Sequence, residues 1–200
     1  MDIQFQFDIE KTVQATAFLL KLNSGHMNYM GLLKMLYIAD RKSFERMNSP
    51  ITGDVYFSLD YGPVLSGVYD LIKGNELGRS TARNPLTVWR QFISTREQNY
   101  KATANYEVFL TNDPGVGDLC EEEERILGNV FSTFGRLDPF AVADWTHGLP
   151  EWEKPPKGSR LPISVEHILM YLQKDMETIG QIKDEADSEA YIGRVLNAAG

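Results

Sequence analysis

Three histidines, at positions 26, 147 and 167, and a single cysteine, Cys120, are the groups best suited to bind a metal or attack a carbonyl. They are too far apart for the paired spacing of a zinc site, and neither H-E-x-x-H nor C-x-x-C occurs. His147 lies between Trp145 and Trp152, rings that could wall a pocket, yet at a predicted helix end a histidine most simply serves a carbonyl of the last turn. Asp40, Asp54 and Asp60 flank one predicted helix, loop and strand, and converging carboxylates can divide acid and base work. Beside Gly and Pro, aspartates also cap turns, so spacing leaves both roles open. Gly115-Val116-Gly117 precedes four glutamates rather than Lys-Ser or Lys-Thr, so it is no phosphate cradle. No G-x-S-x-G elbow occurs either. The residues therefore predict no cofactor, no metal and no catalytic set.

The secondary structure expected to hold these residues is mostly helical. Asp8 precedes a helix to Leu22 with Val13, Ala17 and Leu20 on one side, and Asn28 can cap a second. There Tyr29, Leu32, Leu33, Leu36 and Tyr37 form a stripe broad enough for the most buried helix. Between Pro50 and Pro63 the period falls to two, with Val55, Phe57 and Leu59 alternating with Tyr56, Ser58 and Asp60, as in a half-buried strand. Pro63 is expected at the first turn of a helix carrying Val64, Leu65, Val68, Leu71 and Ile72. Trp89–Ile93 and Tyr106–Leu110 are read as two further strands. Asp118 with Glu121 resembles a capping box, and Glu121 to Glu124 suit the first turns of the helix it opens. Asp138-Pro139 and Ser164 start two more helices, separated by an irregular loop from Gly148 to Pro162. The predicted fold is mostly α (α+β), a bundle of six or seven helices with a small antiparallel β-sheet or hairpin. Residues 1–175 are expected to form one domain. Residues 176–200 are expected to be an acidic tail with a short helix from Ser188.

Twenty Lys and Arg against 28 Asp and Glu give a net charge of −8, and the isoelectric point is near 4.9. Direct nucleic-acid binding is disfavoured by that balance. No apolar run approaches the roughly 18 residues that span a bilayer, and the opening seven residues lack the basic flank and apolar core of a secretion signal. With one cysteine the expected compartment is the cytoplasm. The one local excess of positive charge is Arg79, Arg83, Arg90, Arg96 and Lys101, either a surface for an acidic partner or a phosphate group or a solvated loop and hairpin face.

Three stretches in one block carry a family pattern: Leu33-Lys34-Met35-Leu36-Tyr37-Ile38-Ala39-Asp40-Arg41, then Pro50-Ile51-Thr52-Gly53-Asp54, then Tyr61-Gly62-Pro63-Val64. A second block runs from Phe134-Gly135 through Leu137 to Trp145-Thr146-His147, Trp152 and Pro162-Ile163-Ser164. Together they resemble the Panacea domain of SocA-like antitoxins, over residues 10 to 175. The resemblance implies an antitoxin that neutralises a co-encoded toxin by direct protein contact. One branch of the family instead delivers its toxin to a protease as an adaptor. The positions that carry the resemblance, and hence the candidate toxin contacts, are Tyr37, Asp40, Gly53, Asp54, Tyr61, Gly62, Pro63, Trp145, Thr146, His147 and Trp152. A charge of −8 suits a toxin more basic than this chain. Two other classes compete: a hydrolase or nucleotide-binding enzyme built on Asp40, Asp54 and His147, and a transcriptional regulator, which would need a basic recognition helix.

Overall fold

A computed structural model describes residues 3–78, 83–97 and 106–198. Its helices start where short side chains satisfy free amides. Asp8 accepts from the Lys11 amide at 2.9 Å to open α1 (Ile9–Leu22), and Asn28 accepts from the Met30 amide at 3.0 Å to open α2 (Tyr29–Met47). Leu32, Leu33, Leu36 and Phe44 of α2 are buried, so this helix is the central one, as the width of its stripe predicts. Around it pack α1, α5 (Glu121–Phe134), α6 (Pro139–Thr146) and α7 (Val165–Tyr171).

Two three-stranded antiparallel sheets complete the chain, so the architecture is mostly α with small sheets, carrying eight helices among the described residues. One sheet has the order β1 (His26–Asn28), β5 (Tyr106–Leu110), β4 (Ile93–Glu97), with Val108 opposite both Met27 and Thr95. The other has the order β3 (Gly62–Leu65), β2 (Tyr56–Leu59), β6 (Leu161–Ile163), with Tyr56 opposite both Leu65 and Ile163.

Several local expectations change. Pro63 sits in a strand, not in a helix, and α3 (Ser66–Ile72) begins three residues later. In β2 the faces are reversed: Tyr56 and Ser58 point inward, while Val55 is exposed and Phe57 and Leu59 are half-buried. The inward groups have partners, since the Tyr56 hydroxyl donates to Asp40 and the Ser58 hydroxyl accepts from the Glu153 amide. Trp89 lies in α4 (Pro85–Phe92) rather than a strand, because Asn84 caps the Thr87 amide at 3.0 Å and Pro85 takes the first helical position. The cap of α5 is Cys120, whose amide donates to Glu123 at 2.8 Å, whereas Asp118 pairs with Gln14 on α1. At the C-terminal side, α8 (Met176–Ala198) starts twelve residues before the expected Ser188 and buries Ile179, Ile182 and Ala186, while Tyr191, Ile192 and Val195 are exposed. Among the described residues no helix is long and apolar enough to cross a membrane.

Candidate functional site

Tyr37 lies three residues after Lys34, and Asp40 and Arg41 lie three and four residues after Tyr37, so the four side chains fall on one broad side of α2, and each grips a different remote segment or shares one with a neighbour. Asp40 is fully buried. Its carboxylate accepts from the Ile51 amide at 2.9 Å, the Thr52 amide at 3.0 Å, the Thr52 hydroxyl at 2.5 Å and the Tyr56 hydroxyl at 2.9 Å. Burial pushes this carboxyl up to about 6, and the hydrogen bonds from Thr52, Tyr56 and Ile51 oppose the shift. Tyr37 and Arg41 hold Glu151: the tyrosine hydroxyl donates to Oε1 at 3.0 Å and the Arg41 Nε to the same oxygen at 2.7 Å. The Tyr37 hydroxyl is held well above its ordinary range by burial and then by the Glu151 charge.

Asp54 performs a related task one layer on. Its carboxylate accepts from the Val55 amide at 2.8 Å, the Gly67 amide at 3.0 Å and the Val68 amide at 2.9 Å. The last two are free N–H groups of α3, whose own cap residue Leu65 offers no side-chain acceptor, so Asp54 caps that helix from outside. Asp40 and Asp54 do converge, through Thr52, whose hydroxyl donates to Asp40 and accepts from the Asp54 amide at 3.2 Å. Asp60 stays apart, exposed in the β2–β3 turn. The carboxylates on which an acid–base reading would rest are thus engaged in holding the loop between α2 and α3. Gly53 belongs to the same loop, with φ of 64°, where an added Cβ would fall 1.9 Å from the Gln6 carbonyl oxygen.

The second sequence block meets the first at Lys34. This side chain is 1% exposed and its ammonium donates to the Pro63 carbonyl at 2.8 Å. Burial alone lowers the amine to about 7. Gly62, with φ of 93°, passes so close that a Cβ would lie 2.3 Å from the Thr146 hydroxyl and 3.2 Å from the Lys34 Nζ. Thr146 is buried and donates to the Ala143 carbonyl at 2.7 Å. His147 stacks on Trp152 with centroids 4.1 Å apart, and Trp152 donates through Nε1 to the Leu59 carbonyl at 3.1 Å. The His147 imidazole is held below its usual range by burial first, with Lys34 and Lys154 adding to the shift and Asp144 opposing it.

The motif positions therefore divide by depth. Tyr37, Asp40, Gly53, Asp54, Gly62, Pro63 and Thr146 are buried, and His147 and Trp152 are half-buried. Tyr61 and Trp145, at 41% and 48%, are the exposed members of the set. Trp145 packs edge-on against Phe134 at 4.7 Å and walls a groove of about 260 Å³ between α2, α5 and α6, shared with Ile38, Ile126 and Val130. The basic side chains at its rim are paired, Lys42 with Glu45 at 2.7 Å and Arg46 with Glu122 at 3.0 Å. Tyr61 meets Phe140 edge-on at 5.9 Å.

Two residues of the site carry no role in the sequence blocks: Glu151, the anchor for two α2 side chains, and Lys34, which stands within the first block. The signal for Lys34 is a charged residue inside the apolar stripe of the most buried helix. Of the basic cluster, Arg79 and Lys101 lie outside the described residues, Arg83 pairs with Glu10 at 3.0 Å, and the Arg96 guanidinium lies over Phe109 at 4.8 Å. Among the described residues no three His, Cys, Asp or Glu side chains are grouped to hold a metal ion.

In comparisons with known proteins, no curated protein and no solved structure matches the chain. The family model described as antitoxin SocA-like, Panacea domain, matches residues 32–153, from the start of the α2 network to just past Trp152. The matched span is more than half of the 200 residues and contains Lys34, Asp40, Asp54, Gly62, Thr146 and Glu151, so the chain belongs to the SocA-like, Panacea-domain antitoxin family.

Proposed function

We propose that this protein is a cytoplasmic antitoxin that neutralises a toxin by direct contact, with Trp145 and the groove between α2, α5 and α6 as the anchor. The observation that carries this reading is the division by depth: seven of the eleven motif residues are buried within the scaffold, whereas Trp145 is exposed beside an apolar groove. Exposed aromatic side chains set in such grooves dominate binding energy at protein interfaces. The paired rim charges leave little uncompensated charge to desolvate on docking. A net charge of −8 favours fast encounter with a more basic toxin.

The test is coexpression and copurification with the product of the adjacent gene, then calorimetry on the purified pair. Trp145→Ala is expected to weaken toxin binding by about 30-fold or more, the equivalent of a loss of about 2 kcal/mol at a hot spot. The variant should melt close to the parent, because Trp145 is 48% exposed. Toxin that stays fully active in an excess of this protein would reject direct neutralisation and favour the adaptor route.

A further inference from the structure

A separate cavity of about 410 Å³ lies where α2, the β2–β3 turn, α3 and β5 meet, lined by Tyr29, Tyr61, Tyr69 and Tyr106 together with Lys34 and Lys73. Its size is that of a small-molecule site, which typically measures about 300–1,000 Å³. The tyrosines are mutually arranged: Tyr29 and Tyr69 are stacked with centroids 6.2 Å apart, and Tyr106 meets Tyr29 edge-on at 5.5 Å. Lys73 places its ammonium 4.1 Å from the Tyr69 ring centre.

Lys34 is the decisive member. Its ammonium has three N–H donors, and among the described residues its hydrogen bond goes to one acceptor, the Pro63 carbonyl. It is 1% exposed, so the positive charge is shielded from bulk water. Holding such a charge without a counter-ion costs stability that a leucine or methionine at the same place would not cost. An anion arriving through the cavity would supply both the missing acceptors and the missing charge.

We propose that this cavity binds a small aromatic anion, with its carboxylate or phosphate on the Lys34 ammonium and its ring against the tyrosines. A box of tyrosines also suits a quaternary ammonium ion. The two lysines oppose a cation, and of the lining residues Asp60 carries the one negative charge. The proposal is independent of the toxin reading, because none of these residues lines the Trp145 groove.

The experiment titrates the full chain at pH 6.5, where the Lys34 amine is mostly protonated. The probes are phenyl phosphate, phenylacetate, benzyl alcohol, inorganic phosphate and phenyltrimethylammonium, read by calorimetry. One or both aromatic anions should bind, showing whether phosphate or carboxylate is preferred, and benzyl alcohol and inorganic phosphate should bind at least about tenfold more weakly. Lys34→Met and Tyr69→Ala should each weaken the preferred anion by about tenfold or more. Should Lys34→Met fail to fold, Tyr69→Ala at its half-buried position decides the matter. No saturable binding of either aromatic anion at about 1 mM, tighter binding of phenyltrimethylammonium, or unchanged affinity in a folded variant would overturn the proposal.

Discussion

Replacing Lys34 by methionine isolates the energetic effect of the buried amine, because the unbranched stem is kept and the charge is removed. In the unfolded chain the amine titrates near 10.5, and in the fold burial brings it to about 7. The unfolded state therefore holds its proton more tightly. The penalty for burial is fully present below pH 7 and fades as the pH rises towards 10.5. Across that window each pH unit relieves at most about 1.4 kcal/mol, so roughly 3 kcal/mol of the penalty disappears between pH 6.5 and 9.5. Methionine carries no such penalty at either pH. The hydrogen bond to the Pro63 carbonyl is lost in the variant, at a cost of about 1–3 kcal/mol, but this loss does not vary with pH and cancels in the comparison. Of its neighbours, His147 is held below its usual range, with Lys34 among the causes, and Tyr29 is pushed up to about 12. Urea unfolding followed by tryptophan fluorescence at both pH values measures the effect. The stability of the parent relative to Lys34→Met should rise by about 3 kcal/mol from pH 6.5 to pH 9.5. A difference that stays constant within about 0.5 kcal/mol would show that the Lys34 amine is not desolvated as argued.

Gly62→Ala should lower stability by about 3 kcal/mol, combining a positive φ with overpacking against Thr146, whereas Gly25→Ala should cost only about 1 kcal/mol. The contrast arises because Gly25 has a similar φ of 88° but open space around its would-be Cβ, and thermal melting of the two variants checks it. Ending the chain after Lys174 should destabilise the protein by about 3–6 kcal/mol, since removing α8 uncovers the core that Ile179 and Ile182 seal. A truncated chain that unfolds at the same urea concentration as the parent would show that α8 contributes nothing to the core.

Features decided within one turn of chain are legible in the sequence. Asp8, Asn28, Asp138 and Ser164 each cap the helix that follows, because the amide each one satisfies lies two or three residues away. The breadth of the α2 stripe likewise identified the central helix, since periodicity reports burial directly. The faces of β2 escaped the same reasoning: alternation shows which residues share a side, and only the Asp40 carboxylate, sixteen residues away, draws Tyr56 inward. Pro63 reads as a helix start until the Lys34 ammonium takes its carbonyl from another element. In α8 the spacing of Ile179, Ile182 and Ala186 was legible, but the surrounding charges masked it until the core showed which face was covered. The site follows the same rule. Its residues can be named from the two sequence blocks, but whether each points inward to brace the scaffold or outward depends on contacts between elements, from eleven residues apart for Asp40 and Ile51 to 114 for Tyr37 and Glu151, and those are set by the tertiary structure.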